Sequence, residues 1–337
     1  MSELLAGQPL RDSVVVVRRR AVCVAVPTFR RPELLERVLG GLARLTIPAD
    51  VDLSVVVLDN NPQPEARDAV ERIRRGFPFD LTHAHVAEPG LSSVRNFALT
   101  RAREGFDFLA MIDDDEMPHH RWLAELLRVQ QETLADAVVG PVPRIVPRDA
   151  PRWLREGGFF ELPVFPDRTL IKDGYSGNCL LRVASIKRLG LAFDPALNFA
   201  GGEDLLFFRQ LHAAGAKLAY ARRAVAEEFV GAERLSASYI LKLNFRRGNT
   251  LSLCDRHLGG VRAVAVRPLK ACARIALGSA MLAPKTIRRG RSGAVAALCD
   301  IALGLGALAG LVGYTYNAYG RPGQKSPGEA TASAPVR

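Results

Sequence analysis

Short apolar runs alternate with amphipathic stretches along the first 115 residues. Residues 21–26 form an unbroken apolar run stopped by Pro27-Thr28, the pattern of a strand covered on both faces. Pro32 then opens an amphipathic helix with Leu34, Leu35, Val38, Leu39 and Leu42 on one face. Residues 53–58 give a second strand, ending in Asp59-Asn60-Asn61-Pro62, and a helix carrying Ala66, Ala69, Val70 and Ile73 follows. A strand near 81–86 comes next. Residues 106–112 form a further buried strand that runs straight into Asp113-Asp114-Asp115-Glu116. This alternation predicts an α/β fold with a mostly parallel sheet and right-handed crossovers. In such sheets the ligand lies beyond the carboxyl ends of the strands. Pro27-Thr28, Asp59-Asn60 and the acidic run all fall there.

Four adjacent carboxylates repel one another and need water, a cation or both. A hard divalent ion is one solution, since it prefers carboxylate oxygens and shares its shell with phosphates. The plain alternative is a solvated turn that starts the next helix, with Pro118 in its first turn. Asp59 has two readings as well: it caps the following helix, or it hydrogen-bonds a base or ribose. Gly90 and Ser92 lead into a helix whose first turns carry Arg95 and Asn96, and helix N-termini attract phosphate. No GxGxxG and no GxxxxGK[ST] is present, so neither a dinucleotide fold nor a P-loop is indicated.

Farther along, residues 143–174 are interrupted by Pro and Gly and contain Trp153, Phe159, Phe160 and Phe165. Long loops of this kind are usually functional, though core packing explains any one of these aromatic residues equally well. Gly201-Gly202-Glu203-Asp204 precedes a helix over 205–214 closed by Gly215. The two acids either complement that helix's dipole or do chemistry.

Charge changes the picture at the C-terminus. The chain carries a formal net charge of +11, and residues 261–337 hold 11 Lys/Arg against 2 Asp/Glu, or +9 of it. A basic tail on a near-neutral body suits a polyanionic surface. Apolar residues alternate with Arg262, Arg267, Lys270 and Arg274, and a basic cluster then precedes the apolar stretch 294–312, interrupted by Asp300. That stretch is just long enough to span a bilayer, but the Asp near its middle favours a basic, apolar helix pair lying in the membrane interface. The five cysteines show no CxxC spacing, which points to reduced thiols and away from zinc or disulfides. The N-terminal stretch is polar and reads as having no signal-like apolar region.

Taken in order, Val26-Pro27-Thr28-Phe29-Arg30-Arg31, Leu58-Asp59-Asn60, Gly90 with Arg95-Asn96, and Asp113-Asp114-Asp115-Glu116 resemble the family 2 inverting glycosyltransferases of GT-A fold. The resemblance continues through Trp122-Leu123, Gly140-Pro141-Val142, the stretch from Tyr175 to Arg182, Gly201-Gly202-Glu203-Asp204 and Phe245-Arg246-Arg247-Gly248. Within the family it is nearest the ExoM-type transferases of succinoglycan and other exopolysaccharide assembly. It covers roughly residues 20–255.

The resemblance implies a Rossmann-like GT-A domain over 20–256, after a loose lead-in at 1–19. It also implies a helical membrane-associating region at 257–320, and 321–337 reads as a disordered tail. Pro27, Thr28, Arg30, Asp59, Arg95, Asp113 and Asp114 would bind a UDP-sugar. Asp113 and Asp115 would form the DxD pair, holding Mg²⁺ or Mn²⁺ against the diphosphate, with Asp114 pointing away along an extended chain. Glu227 stands where many relatives carry a metal-binding His. Asp204 would be the base that deprotonates the acceptor hydroxyl, supported by Glu203. Arg234, Arg246 and Arg247 are candidates to clamp the diphosphate. Trp153, Tyr175 and Asn178 are candidates for the acceptor or sugar wall. The implied reaction is transfer of a hexose, glucose from UDP-glucose foremost, to a lipid-diphosphate-linked oligosaccharide at the cytoplasmic face of a bacterial inner membrane. The protein would be peripheral or monotopic there, with no nucleic-acid partner. Rival readings are a transferase of another UDP- or dTDP-sugar in lipopolysaccharide or capsule assembly, and a non-catalytic scaffold. A nucleotidyltransferase is disfavoured, because no Gly-rich loop follows the first strand.

Overall fold

The computed structural model describes residues 18–317. Most of the expected lead-in, and all of the tail expected at 321–337, lie outside the described residues. The first half runs β1 (Arg20–Thr28), α1 (Pro32–Leu42), β2 (Val51–Asp59), α2 (Arg67–Arg74), β3 (Asp80–His85), α3 (Leu91–Ala102) and β4 (Phe108–Ile112). The chain continues through β5 (Glu116–Pro118), α4 (Trp122–Thr133), β6 (Ala137–Val139), β7 (Arg144–Ile145), α5 (Arg152–Arg155) and β8 (Leu170–Ile171). Then come β9 (Asn178–Arg182), α6 (Val183–Leu189), α7 (Glu203–Ala213), β10 (Leu218–Tyr220) and β11 (Ala226–Phe229). Two helices follow, α8 (Ala237–His257) and α9 (Val261–Leu311).

Among the described residues, eight strands form one sheet in the order β3-β2-β1-β4-β9-β6-β10-β8. Strands β1 to β4 pair in parallel, as the strand–helix alternation requires. β9 runs antiparallel between β4 and β6, and β10 returns parallel to β6. The apolar runs are continuous because both faces are covered. Val22, Val24 and Val26 of β1 join Ala110 and Ile112 of β4 under α1 and α4. Cys23, Ala25, Leu109 and Met111 point the other way, onto Val94 and Ala98 of α3 and Phe207 and Leu211 of α7. Each buried Val, Leu, Ile, Met or Phe among them contributes about 1.5–3 kcal/mol by leaving water.

A second sheet, β5-β11-β7, corrects one expectation. Pro118 does not open a helix; it ends β5, which pairs antiparallel with β11, Glu116 opposite Glu228. The helix starts later, at Trp122, whose indole is fully buried and donates to Asn178 Oδ1 at 2.8 Å. Segment 143–174 also carries more structure than its sequence suggests, in β7, α5 and β8.

α9 is long and apolar enough to cross a membrane by length and composition, but it is broken at Gly290 (φ 55°, ψ −135°) into limbs 261–289 and 291–311. The second limb lies against α8 with Gly306 at the Phe245 carbonyl and Gly248 at the Leu303 carbonyl. Ser252 Oγ donates to the Ala307 carbonyl at 2.7 Å. Asp300 is paired with Arg274 (3.3 Å) and Lys285 (3.1 Å) of the first limb. The first limb leaves Leu269, Leu277 and Ile287 exposed (71%, 57% and 87%).

Candidate active site

β4 ends at Ile112, and the next residues form a tight turn rather than an extended strand, with Glu116 N donating to Asp113 O at 3.2 Å. The turn changes what the acidic run does. Asp114 does not point to solvent: it is buried, accepts from Thr28 Oγ1 at 2.9 Å and meets Arg31 at 3.1 Å. Burial pushes its carboxyl up to about 6, against the pull of Arg31 and Thr28. Asp115 lies between two guanidinium groups, Arg31 and Arg234, each at 3.2 Å. Burial also raises Asp113, with Asp115, Asp204 and Glu228 adding to the effect and Arg95 opposing it. Glu116 is raised well above the usual carboxyl range, first by burial and then by Asp113, Asp115 and Glu228, and its Oε2 has no hydrogen-bond partner. Gly177 packs against this cluster; a Cβ there would come within 2.4 Å of Glu116 Oε1.

A second acidic pair arrives from α7. Gly202 (φ 90°) turns the chain into the helix, and a side chain there would strike Thr250. Glu203 is buried in an ion pair with Arg95, whose other nitrogen lies 3.5 Å from Asp113. Asp204 is half-buried, and its Oδ1 accepts from Leu205 N at 2.6 Å. Its charge is felt by Asp113. Two motifs ninety residues apart thus meet at one strand end, linked by Arg95.

Several expected site residues stand elsewhere. Asp59 is fully buried, and its carboxylate accepts from Asn61 N (3.0 Å), Ala66 N (2.8 Å) and His83 (3.2 Å); it ties down the loop after β2 rather than facing a base. Glu227 is on the wrong face of β11 to join Asp113 and Asp115, since successive strand residues alternate. It meets His119 at 3.1 Å. Its neighbour Glu228 faces the site, paired with Arg144 at 2.7 Å and with Arg234. Asn178 is a fully buried tie rather than a wall, donating to the Pro141 (2.9 Å) and Ala224 (2.7 Å) carbonyls. Trp153 packs edge-on to Phe159, with Arg291 over its ring at 4.6 Å, so it belongs to the contact with α9.

Other residues lie closer to expectation. Pro27 and Thr28 end β1 beside the acidic turn, and exposed Arg30 (φ 54°) donates its backbone N–H to Asn61 at 2.8 Å. Tyr175 is half-buried and donates to the Gly140 carbonyl. Burial, then the charges of Arg144 and Arg246, lower the Arg247 guanidinium; of these three cations, Arg144 pairs with Glu228. Arg31, Arg144, Glu116 and Glu228 were not singled out as site residues. No local signal marks either Glu228 or Arg144, since nothing along so short a strand as β11 fixes which face each residue takes.

Among the described residues, no group of three or more His, Cys, Asp or Glu is gathered as a metal cage. The site fits a divalent cation in another way. Several carboxyl groups converge, Glu116 with an orphaned oxygen, and burial together with their like-charged neighbours raises Asp113 and Glu116. Mg²⁺-type ions commonly use one or two carboxylates and complete their shell with water and substrate phosphates. Asp113 and Asp115 would be the protein's share.

The strand order and the acidic turn at its carboxyl edge define the GT-A fold of sugar-nucleotide-dependent transferases. The mannosyltransferase PcManGT of Pyrobaculum calidifontis, solved with GDP-Man and Mn²⁺, is similar in fold (TM-score 0.54, 20% identity, 87% of each chain). GalNAc-T7, solved with UDP, GalNAc and Mn²⁺, gives 0.51 at 14% identity over 70% of this chain and 50% of that one. The family model described as glycosyl transferase family 2 matches residues 23–190. Succinoglycan biosynthesis protein ExoM of Rhizobium meliloti (strain 1021) is 40% identical over 228 residues, 67% of this chain and 72% of that protein. Validoxylamine A glucosyltransferase of Streptomyces hygroscopicus subsp. limoneus is 27% identical, over 59% of this chain and 49% of its own. The chain belongs to glycosyl transferase family 2.

Proposed function

We propose that this protein transfers a hexose, glucose from UDP-glucose foremost, to a lipid-diphosphate-linked oligosaccharide, with inversion at the anomeric carbon, in bacterial exopolysaccharide assembly. The observation that carries this reading is the Arg95 bridge, which holds Asp113 beside the Glu203-Asp204 pair. One acidic motif is suited to a nucleoside diphosphate and the other to an acceptor hydroxyl. The likeness to ExoM supports the pathway class, and that to validoxylamine A glucosyltransferase supports glucose.

In this mechanism Asp204, half-buried at the start of α7, takes the proton from the attacking hydroxyl as its oxygen bonds to C1 and the nucleoside diphosphate departs. Glu203 and Arg95 fix the helix start that carries it. Arg31 and Arg234, both paired with Asp115, are suited to phosphate oxygens, and Arg246 and Arg247 are further candidates for that clamp. Asp113 and Asp115 would hold a divalent cation, which would supply positive charge to the leaving diphosphate. The exposed face of 265–289, with Leu269, Leu277 and Ile287 beside Lys270, Arg274, Arg288 and Arg289, is suited to an anionic membrane surface. This suits a peripheral or monotopic protein on the cytoplasmic face of the inner membrane.

The test is calorimetric titration of UDP-glucose with and without Mn²⁺, paired with transfer of labelled glucose to a lipid-linked acceptor extract. Metal-dependent binding and a labelled lipid product support the reading. Absence of nucleoside diphosphate binding under every metal overturns it.

A further inference from the structure

A cavity of about 520 Å³ lies at the amino ends of β1 and β4, on the sheet edge opposite the acidic turn. β1 is nine residues long, so about 25 Å of strand separates Arg20 from Thr28. Three separate segments build the cavity. The stretch entering β1 supplies Arg18, Arg19 and Arg20, the turn into β4 supplies Asp107, and the end of β9 with α6 supplies Arg182 and Lys187. Asp107 ties the three together. Its carboxylate accepts from Ala21 N and from Arg18, each at 2.9 Å, and its carbonyl accepts from Val183 N at 3.0 Å.

The charge around this space is unbalanced. Five cations line the cavity against one carboxylate. Acids just outside it hold two of the arginines: Asp50 meets Arg20 at 2.8 Å, and Asp52 approaches Arg19 at 4.0 Å. Arg182 and Lys187 are exposed and have no ion-pair partner among the described residues. Their neighbour Arg188 shows the contrast, since it approaches Asp136 at 4.0 Å and does not line the cavity. Like charges around a concave space concentrate an anion there. A guanidinium fork matches phosphate oxygens in pairs, and a lysine adds a point charge. The volume suits a small ligand or a headgroup rather than a folded partner. A lone carboxylate would offset only one of the two uncompensated cations; a phosphate offsets more.

We propose that this cavity is an anion site for a phosphate group, held by Arg182 and Lys187 and separate from the acidic turn. Two sources share that chemistry: a free phosphate or diphosphate, and the headgroup of an acidic phospholipid. The inference stands apart from the transferase reading, since it uses no residue of that site.

The test uses the full chain without added metal. Inorganic pyrophosphate, titrated by calorimetry, stands for the free anion. Vesicles of phosphatidylcholine with and without phosphatidylglycerol, read by flotation, stand for the headgroup. The double change Arg182→Ala, Lys187→Ala alters only exposed side chains, so thermal unfolding should stay within a few degrees of wild type. It is expected to weaken binding of at least one probe about tenfold. Arg31→Ala, at the acidic turn, should leave that probe's binding unchanged. The double variant should bind UDP with Mn²⁺ like the wild-type protein. A drop in pyrophosphate binding assigns the site to a free phosphate, and a drop confined to anionic vesicles assigns it to a headgroup. The proposal is overturned if neither probe binds the wild-type protein, or if the double variant binds both normally. It is also overturned if Arg31→Ala weakens the probe equally, or if the double variant loses UDP binding.

Discussion

Arg95 and Glu203 form a buried ion pair between α3 and α7, and the same guanidinium reaches Asp113 at 3.5 Å. Removing one partner leaves the other charge stranded; Glu203 is only 2% exposed. Arg95→Ala is therefore expected to cost about 3–5 kcal/mol of stability, seen as a lower midpoint in urea. The double change Arg95→Met, Glu203→Leu should recover much of that stability without recovering sugar transfer. A double variant as unstable as Arg95→Ala would contradict this account.

Asp204 is assigned the proton transfer and Glu203 the support, and the two separate in kinetics. Asp204→Asn should lower kcat by about 10²–10⁴-fold while UDP affinity, measured by calorimetry, stays near wild type. Unaltered turnover in Asp204→Asn would move the base elsewhere.

Alternation along β11 decides between neighbouring acids. Asp115→Ala should abolish the Mn²⁺-dependent part of UDP binding. Glu227→Ala, which removes only the contact with His119, should leave it intact. Glu228→Gln disturbs Arg144 and Arg234 and should weaken UDP binding without changing which metal is preferred. Loss of metal dependence in Glu227→Ala would restore it to the site.

The acidic turn also sets a pH dependence for the metal-free protein. Asp114 sits at about 6 in the fold, above its ordinary value near 4, and burial raises Asp113 and Glu116 as well. A carboxyl raised by folding stabilises the native state below its unfolded value, and that contribution is lost as pH rises through the folded value. Stability to urea should thus fall between about pH 4 and pH 6, by about 3 kcal/mol from Asp114 alone. Asp114→Asn should flatten the slope, and millimolar Mn²⁺ should restore stability at neutral pH. A rise in stability across that window would refute the assignment.

The first limb of α9 offers a direct test of membrane contact. Leu269→Glu with Leu277→Glu alters two exposed side chains, so folding should be unaffected. Co-sedimentation with anionic phospholipid vesicles should drop severalfold, while soluble UDP binding persists. Unchanged sedimentation would leave the basic residues, or nothing, as the membrane contact.

The sequence made the parallel half of the sheet legible because each strand is an apolar run ended by a polar turn, as at Val26-Pro27-Thr28 and Leu58-Asp59. It also placed the two acidic motifs, but not their link, because a contact between Arg95 and Glu203 spans 108 positions. Asp59 and Asn178 misled for a physical reason. A short polar side chain at a strand terminus serves the backbone of a neighbouring loop as readily as a ligand, and only the fold shows which. Glu227 and Glu228 differ by one position, and nothing local fixes the register of so short a strand.

The segment from β7 to β8 is itself seated on the last two helices: Leu154 and Phe160 cluster with Ile240 and Val295, and Arg291 covers the ring of Trp153. A fragment cut after residue 257, the obvious way to obtain a soluble catalytic piece, would keep the acidic turn and its arginines. It would lose Val295 and Arg291 and uncover the underside of α5. Such a fragment can be expected to keep the acidic turn intact while the segment from β7 to β8 loses the floor it rests on.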